Sequence, residues 1–130
     1  MFDVDVTVLP RLINIEDLSL DLVDADSDAT VASLVDGASF DLDELGLDEF
    51  SIEAFGPVET ESVVFELNGP VENIRTENVS RYALFANRGD NLFGRDALAG
   101  EYSLTVRAFD GNNGRGELLA ETTITFTFVN

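Results

Sequence analysis

Apolar and polar positions alternate along most of this 130-residue chain. The pattern is cleanest over residues 100–110, where Tyr102, Leu104, Val106 and Ala108 alternate with Ser103, Thr105 and Arg107. A period of two is that of a strand with one buried face and one wet face. The same period recurs at Phe2, Val4, Val6 and Val8, at Leu18, Leu20 and Leu22, and at Phe50, Ile52 and Ala54. It returns at Val63, Phe65 and Leu67, and last at Ile124, Phe126 and Phe128, which are interleaved with threonines. Asp36-Gly37, Gly56-Pro57, Asn68-Gly69-Pro70 and the Gly/Asn-rich run 110–116 supply turn chemistry between these segments.

Three stretches are less regular. Phe40, Leu42, Leu45 and Leu47 fit neither period; a helical turn competes there with strand–loop–strand, and the latter is preferred. Residues 71–80 read as irregular, anchored by Ile74. Tyr82-Ala83-Leu84-Phe85 is a compact apolar block followed by a loop over 86–91. The sum is about seven to nine short strands, turn signals at the spacing of a sandwich, and no long amphipathic helix. Alternating strands with one wet face argue for antiparallel sheets, and two such sheets must stack face to face to bury their stripes. The expectation is therefore one all-β domain over residues 1–130. Residues 1–14 form either a linker or an extra edge strand.

Composition narrows the function classes. Seven basic residues, all arginine, against 26 acids give a net charge of −19. A phosphate backbone or an anionic membrane surface would meet a repulsive field, so nucleic acid is a poor partner. No apolar run is long enough to span a bilayer. The first residues lack the basic and apolar regions of a signal peptide, which suits an intracellular acidic binding protein or a module cut from a longer secreted chain. Histidine, cysteine and lysine are absent. That removes the usual bases and nucleophiles, along with disulfides and thiolate metal sites. Paired carboxylates cleave glycosides in some enzymes, but with 26 acids some pair is close by chance. The expectation is no enzyme.

The tail of the chain resembles the F–G hairpin of immunoglobulin-like and fibronectin-III-like sandwiches. It runs Gly100-Glu101-Tyr102, alternating strand, glycine-rich loop, final aromatic strand. Tyr102 falls where such folds place a corner tyrosine bonded back to the preceding connection. Leu22-Val23-Asp24-Ala25-Asp26-Ser27-Asp28, Ser62-Val63-Val64-Phe65-Glu66-Leu67, Thr76-Glu77-Asn78 and Tyr82-Ala83-Leu84-Phe85 resemble one group of bacterial immunoglobulin-like modules. These occur in large secreted or surface proteins beside malectin-like or polysaccharide-degrading domains. The match departs from the pattern at Arg81, where proline is expected. The resemblance implies an immunoglobulin-like sandwich, an extracellular or cell-surface location and a non-catalytic spacer, domain-packing or adhesion role. The implied partners are neighbouring domains of the same polypeptide, and an alternative is a carbohydrate-binding module that targets an attached enzyme to polysaccharide.

Two sets of side chains are candidate sites. Asp24, Asp26 and Asp28 have the i, i+2, i+4 spacing of a calcium loop, with Asp36 or Asp110 as further ligands. Ala29 and Val35 stand where an EF-hand needs glycine and glutamate, and acidic turn clusters usually only solvate and cap. Tyr82, Phe93 and Phe109 are the aromatics available for stacking on a sugar or a partner. Phe109 falls out of phase with its strand, and the preferred reading packs it under the following loop or against a neighbouring domain. Arg88-Gly89-Asp90 spells an integrin-binding tripeptide and Asn78-Val79-Ser80 a glycosylation sequon; both arise readily by chance.

Overall fold

A computed structural model describes residues 18–130. The strand expected over residues 2–8 and the division proposed at residue 14 lie outside the described residues. The described chain is a sandwich of two five-stranded sheets with a small two-stranded ribbon. Its elements are β1 (Ser19–Asp24), β2 (Ala29–Ser33), β3 (Ala38–Asp41), a helical turn α1 (Leu42–Leu45), β4 (Glu49–Phe55), β5 (Ser62–Asn68) and β6 (Asn73–Glu77). There follow four two-residue strands, β7 (Tyr82–Ala83), β8 (Asn87–Arg88), β9 (Asn91–Leu92) and β10 (Arg95–Asp96). β11 (Gly100–Phe109) and β12 (Leu118–Val129) complete the chain, joined through a 3₁₀ turn at Asn112–Gly114. The first sheet is ordered β10-β4-β1-β2, with β7 also on β4, and the second β3-β12-β11-β5-β6. All pairs are antiparallel except β3 with β12. β3 has crossed from one sheet to the other and so arrives running with β12, an exception to the antiparallel expectation.

The inner faces meet in one aromatic core. Phe50 packs edge-on against Phe85, Tyr102 and Phe128, at centroid distances of 5.4, 6.1 and 5.1 Å. Tyr102 stacks on Phe126 at 5.0 Å, and such pairs contribute about 0.5–1.5 kcal/mol beyond area burial. The Tyr102 hydroxyl donates to the Leu98 carbonyl at 2.6 Å, so the corner bond expected from the sequence forms. These rings define the upper pole, where β4 and β11 begin and β12 ends. At the lower pole Gly56 lies against Ala108 and Ser19 pairs with Phe55.

Two local expectations are corrected. Residues 42–45 form a helical turn rather than strand–loop–strand. Asp41 caps it, its carboxylate accepting from the Asp43 and Glu44 amides, and Gly46 closes it in the left-handed conformation at φ 65°. Residues 73–77 are a regular strand, and Ile74 is 71% exposed rather than an anchor. β6 is the edge of its sheet and turns Ile74 to solvent, while Val71 and Glu77 are buried instead.

Candidate functional site

β4 carries the most unusual environment in the molecule. Its alternation predicts a wet row at Ser51 and Glu53, yet both are buried. The cause lies on the neighbouring strand. Tyr82 and Ala83 pair with Ala54 and Glu53, and Arg95 and Asp96 pair with Phe50 and Glu49. Opposite just two β4 residues, Ser51 and Ile52, the chain therefore makes an excursion over residues 84–94. Leu84 and Phe85 drop into the main core. The β8–β9 ribbon then folds back over the outer face, where Leu92 joins Val23 and Ala83 in a second small core. The Phe93 amide bonds to the Ala86 carbonyl at 3.0 Å and closes the excursion. Gly94 lies so close to β4 that a side chain carbon there would sit 2.9 Å from the Phe50 carbonyl oxygen and against Ala25.

Under this cover sits a charged cluster. Arg81 grips Glu53 in a two-pronged pair, Nε to Oε2 at 2.8 Å and Nη2 to Oε1 at 2.7 Å. Its Nη1 donates to the Asp90 carbonyl at 3.1 Å, tying the ribbon to the sheet. Bonding to Glu53 pushes the Arg81 guanidinium up from an already high value. Asp21 is the direct cross-strand neighbour of Glu53. Burial, and then the Glu53 charge, push its carboxyl above the usual aspartate range. Ser51 Oγ, in the same covered row, has no hydrogen-bond partner among the described residues.

Beside the cluster a groove of about 560 Å³ runs between β6 and the ribbon. Arg75, Arg81, Asn78 and Asn87 line it. Its polar groups are largely committed within the protein. Arg75 binds the buried Glu77, Asn78 exchanges hydrogen bonds with Asn113, and the Asn87 amide donates to the Gly89 carbonyl at 2.7 Å. The groove is a polar surface, and Arg81 on its wall ties the ribbon to the sheet.

The residues singled out from the sequence take other places. Asp24 accepts from the Asp26 amide at 3.0 Å and so shapes the turn after β1. Asp28, at φ 61°, accepts from the Leu92 amide at 2.9 Å and fastens the ribbon. Among the described residues no group of three or more acids converges on a point that could hold a metal ion. Asp36 bonds the Thr125 amide and Asp110 the Glu117 amide, so each is engaged elsewhere. The Tyr82 hydroxyl donates to the Thr60 carbonyl at 3.1 Å, and burial pushes the phenol above its ordinary value. Phe93 lies on the excursion, 45% exposed. Phe109 keeps the outward phase of β11, in register with Ser62 on β5, and its ring edge lies 3.9 Å from where a Gly114 side chain would begin. The cavity that Tyr82 lines holds neither Phe93 nor Phe109.

Glu53 and Arg81 are the pair that the sequence pattern missed. A glutamate in the polar phase of a strand normally faces water, and only the excursion, with no periodic signature of its own, covers it. No protein-family model matches the chain, and searches of curated proteins and of solved structures likewise find no match.

Proposed function

We propose that the chain is a non-catalytic immunoglobulin-like accessory module of a secreted or cell-surface bacterial protein, a spacer and packing unit between neighbouring domains of one polypeptide. The observation that carries this reading is the direction of the chain. β1 begins at the lower pole beside Phe55, and β12 ends at the upper pole beside Phe50. Between Ser19 and Val129 the described chain therefore enters at one pole and leaves at the other. β12 alone, at about 3.3 Å per residue, spans roughly 40 Å. The Tyr102–Leu98 corner bond agrees with the immunoglobulin-like order of the last two strands. At the lower pole Phe55 and Val58 are exposed, Val58 at 95%, and offer apolar surface to a preceding domain.

The sugar-binding alternative has less support, since the Tyr82 hydroxyl is bonded to Thr60 and the outer face of β11 and β12 presents threonines and a surface ion pair. The test is a head-to-tail tandem of two copies measured by small-angle X-ray scattering. An extended particle nearly twice the length of one copy supports the spacer. A compact particle in which the copies fold back on one another overturns it. A glycan array with a specific binder would favour the alternative.

A further inference from the structure

Four dipeptides in the described chain set glycine after an asparagine or aspartate: Asp36-Gly37, Asn68-Gly69, Asp110-Gly111 and Asn113-Gly114. Such pairs carry a chemistry of their own. The unhindered glycine amide nitrogen can reach the side-chain carbonyl carbon of the residue before it and close a five-membered ring. The fold holds both reacting groups in three of the four. The Gly37 amide donates to the Thr125 carbonyl at 2.7 Å, and Asp36 accepts from the Thr125 amide at 2.8 Å. The Gly111 amide donates to the Arg115 carbonyl at 3.0 Å, and Asp110 accepts from the Glu117 amide at 2.7 Å. The Gly114 amide donates to Ser62 Oγ at 2.9 Å, and the Asn113 side chain accepts from Asn78 Nδ2 at 3.0 Å.

Asn68-Gly69 differs at both ends. Asn68 is the last residue of β5 and is exposed, and among the described residues neither its side chain nor the Gly69 amide is held by a hydrogen bond. Nor does the fold leave room for a bulkier neighbour. Gly69 has φ 144°, and a side-chain carbon there would sit 2.8 Å from both the Glu101 carbonyl oxygen and the Tyr102 ring. The start of the β5–β6 connection therefore keeps the least hindered nucleophile next to an exposed asparagine.

We propose that Asn68 is a site of spontaneous deamidation, selected by the fold. The Gly69 nitrogen passes its proton to water and bonds to Asn68 Cγ. The bond from Cγ to the side-chain nitrogen breaks, and ammonia leaves, taking a proton back. Water then opens the ring at one of its two carbonyl carbons. One opening leaves aspartate at position 68, the other isoaspartate, whose main chain runs through the former side chain. Both products add a negative charge. The second also lengthens the main chain by one carbon between Leu67 and Gly69, where Asn68 pairs with Ser103 beside the Tyr102 corner. Asn113 has the same following residue and is spared, because its hydrogen bonds must open first.

Peptide mapping by mass spectrometry tests this, on the full chain aged in mildly alkaline buffer, folded and in denaturant. In denaturant Asn68 and Asn113 should deamidate at similar rates. In the folded protein Asn68 should deamidate at least ~10-fold faster than Asn113. A smaller difference, a faster reaction at Asn113, or a folded protein that stays intact at Asn68 while the denatured chain reacts overturns the proposal. Asn68→Gln gives a second measurement, since the same attack would need a six-membered ring. The variant should lose the mass gain from the peptide that contains position 68. A gain that persists there places the reaction at another residue and overturns the proposal. Should the variant not fold, the comparison of Asn68 with Asn113 in the unaltered protein decides alone.

Discussion

β4 and β11 are written in nearly the same hand. Phe50-Ser51-Ile52-Glu53-Ala54 and Tyr102-Ser103-Leu104-Thr105-Val106 both alternate large apolar with small or charged residues. In β11 the polar row stays at the surface, where Thr105 bonds Thr123 and Arg107 pairs with Glu121 across the strand pair. In β4 all five residues are buried. The apolar rows behave alike because each faces the opposite sheet. The polar rows differ because only β4 lies beneath a segment that leaves its own sheet. A strand's alternation thus determines which face meets the core, while the fate of its other face depends on chain that passes over it.

Removing the clamp that holds this cover should have the largest effect. Arg81→Ala leaves Glu53 buried beside Asp21 with no counter-charge; with Arg81 itself 31% exposed, the loss should be about 2–3 kcal/mol, below that of a fully buried pair. Arg107→Ala breaks a pair of the same chemistry whose side chains are 36% and 44% exposed. Its cost should stay below about 1 kcal/mol. Denaturant midpoints of the two variants compare the regions directly, and equal losses would mean that the outer face of β4 is not closed. Leu92→Ala comes next, at about 2–3 kcal/mol, since it empties the small core with Val23 and Ala83. Ile74→Ala, on the exposed edge strand, should change stability by less than about 0.5 kcal/mol. A Leu92 variant as mild as the Ile74 variant would show that the ribbon merely rests on the sheet.

These contrasts also mark how much was legible in the sequence. The strands with a clean period of two, β1, β4, β5, β11 and β12, were all visible, as was the sandwich they require. The Tyr102 corner was expected through the resemblance of the tail to the F–G hairpin of immunoglobulin-like sandwiches, and the bond to Leu98 forms. Ile74 misled because an isolated apolar residue in a polar stretch looks like an anchor, and only the strand order reveals it on an edge. The helical turn at 42–45 rests on a cap, Asp41, whose signal is one residue against a background of many acids. The Glu53–Arg81 pair was out of reach for another reason. Its partners are 28 positions apart and meet only because β7 pairs with β4, which no periodicity announces. The aspartates at 24, 26 and 28 show the converse. Their spacing suits a cation, and in the fold Asp24 and Asp28 accept from the Asp26 and Leu92 amides, which shapes the turn and fastens the ribbon.

Tyr102→Phe sharpens the comparison on the β11 side with a change of one atom. It keeps the ring stacked on Phe126 and removes the hydroxyl that donates to Leu98. The Tyr102 side chain is buried, so the loss should be about 1 kcal/mol, read as a shift in the thermal midpoint. A loss several times larger would mean that the corner bond organises the connection before β11 as well as pinning it. No measurable loss would mean that packing alone fixes the corner.

The smallest effect is expected at Asp21, and its sign separates the two regions most sharply. Burial and the neighbouring Glu53 hold the Asp21 carboxyl above its ordinary value in the folded protein. The folded state then binds this proton more tightly than the unfolded chain, so stability falls as pH rises from about 3.9 through the raised value. The penalty is fully present at neutral pH and absent in acid. Asp21→Asn removes it and should make the protein slightly more stable at pH 7, with the gain fading as the pH falls through the raised value and gone below about 4. Melting curves of both proteins across that range provide the readout. An asparagine variant that is less stable at pH 7 than the parent would mean that Arg81 serves both carboxylates, and that the covered face of β4 holds a three-membered charge network rather than a pair with an uncomfortable neighbour.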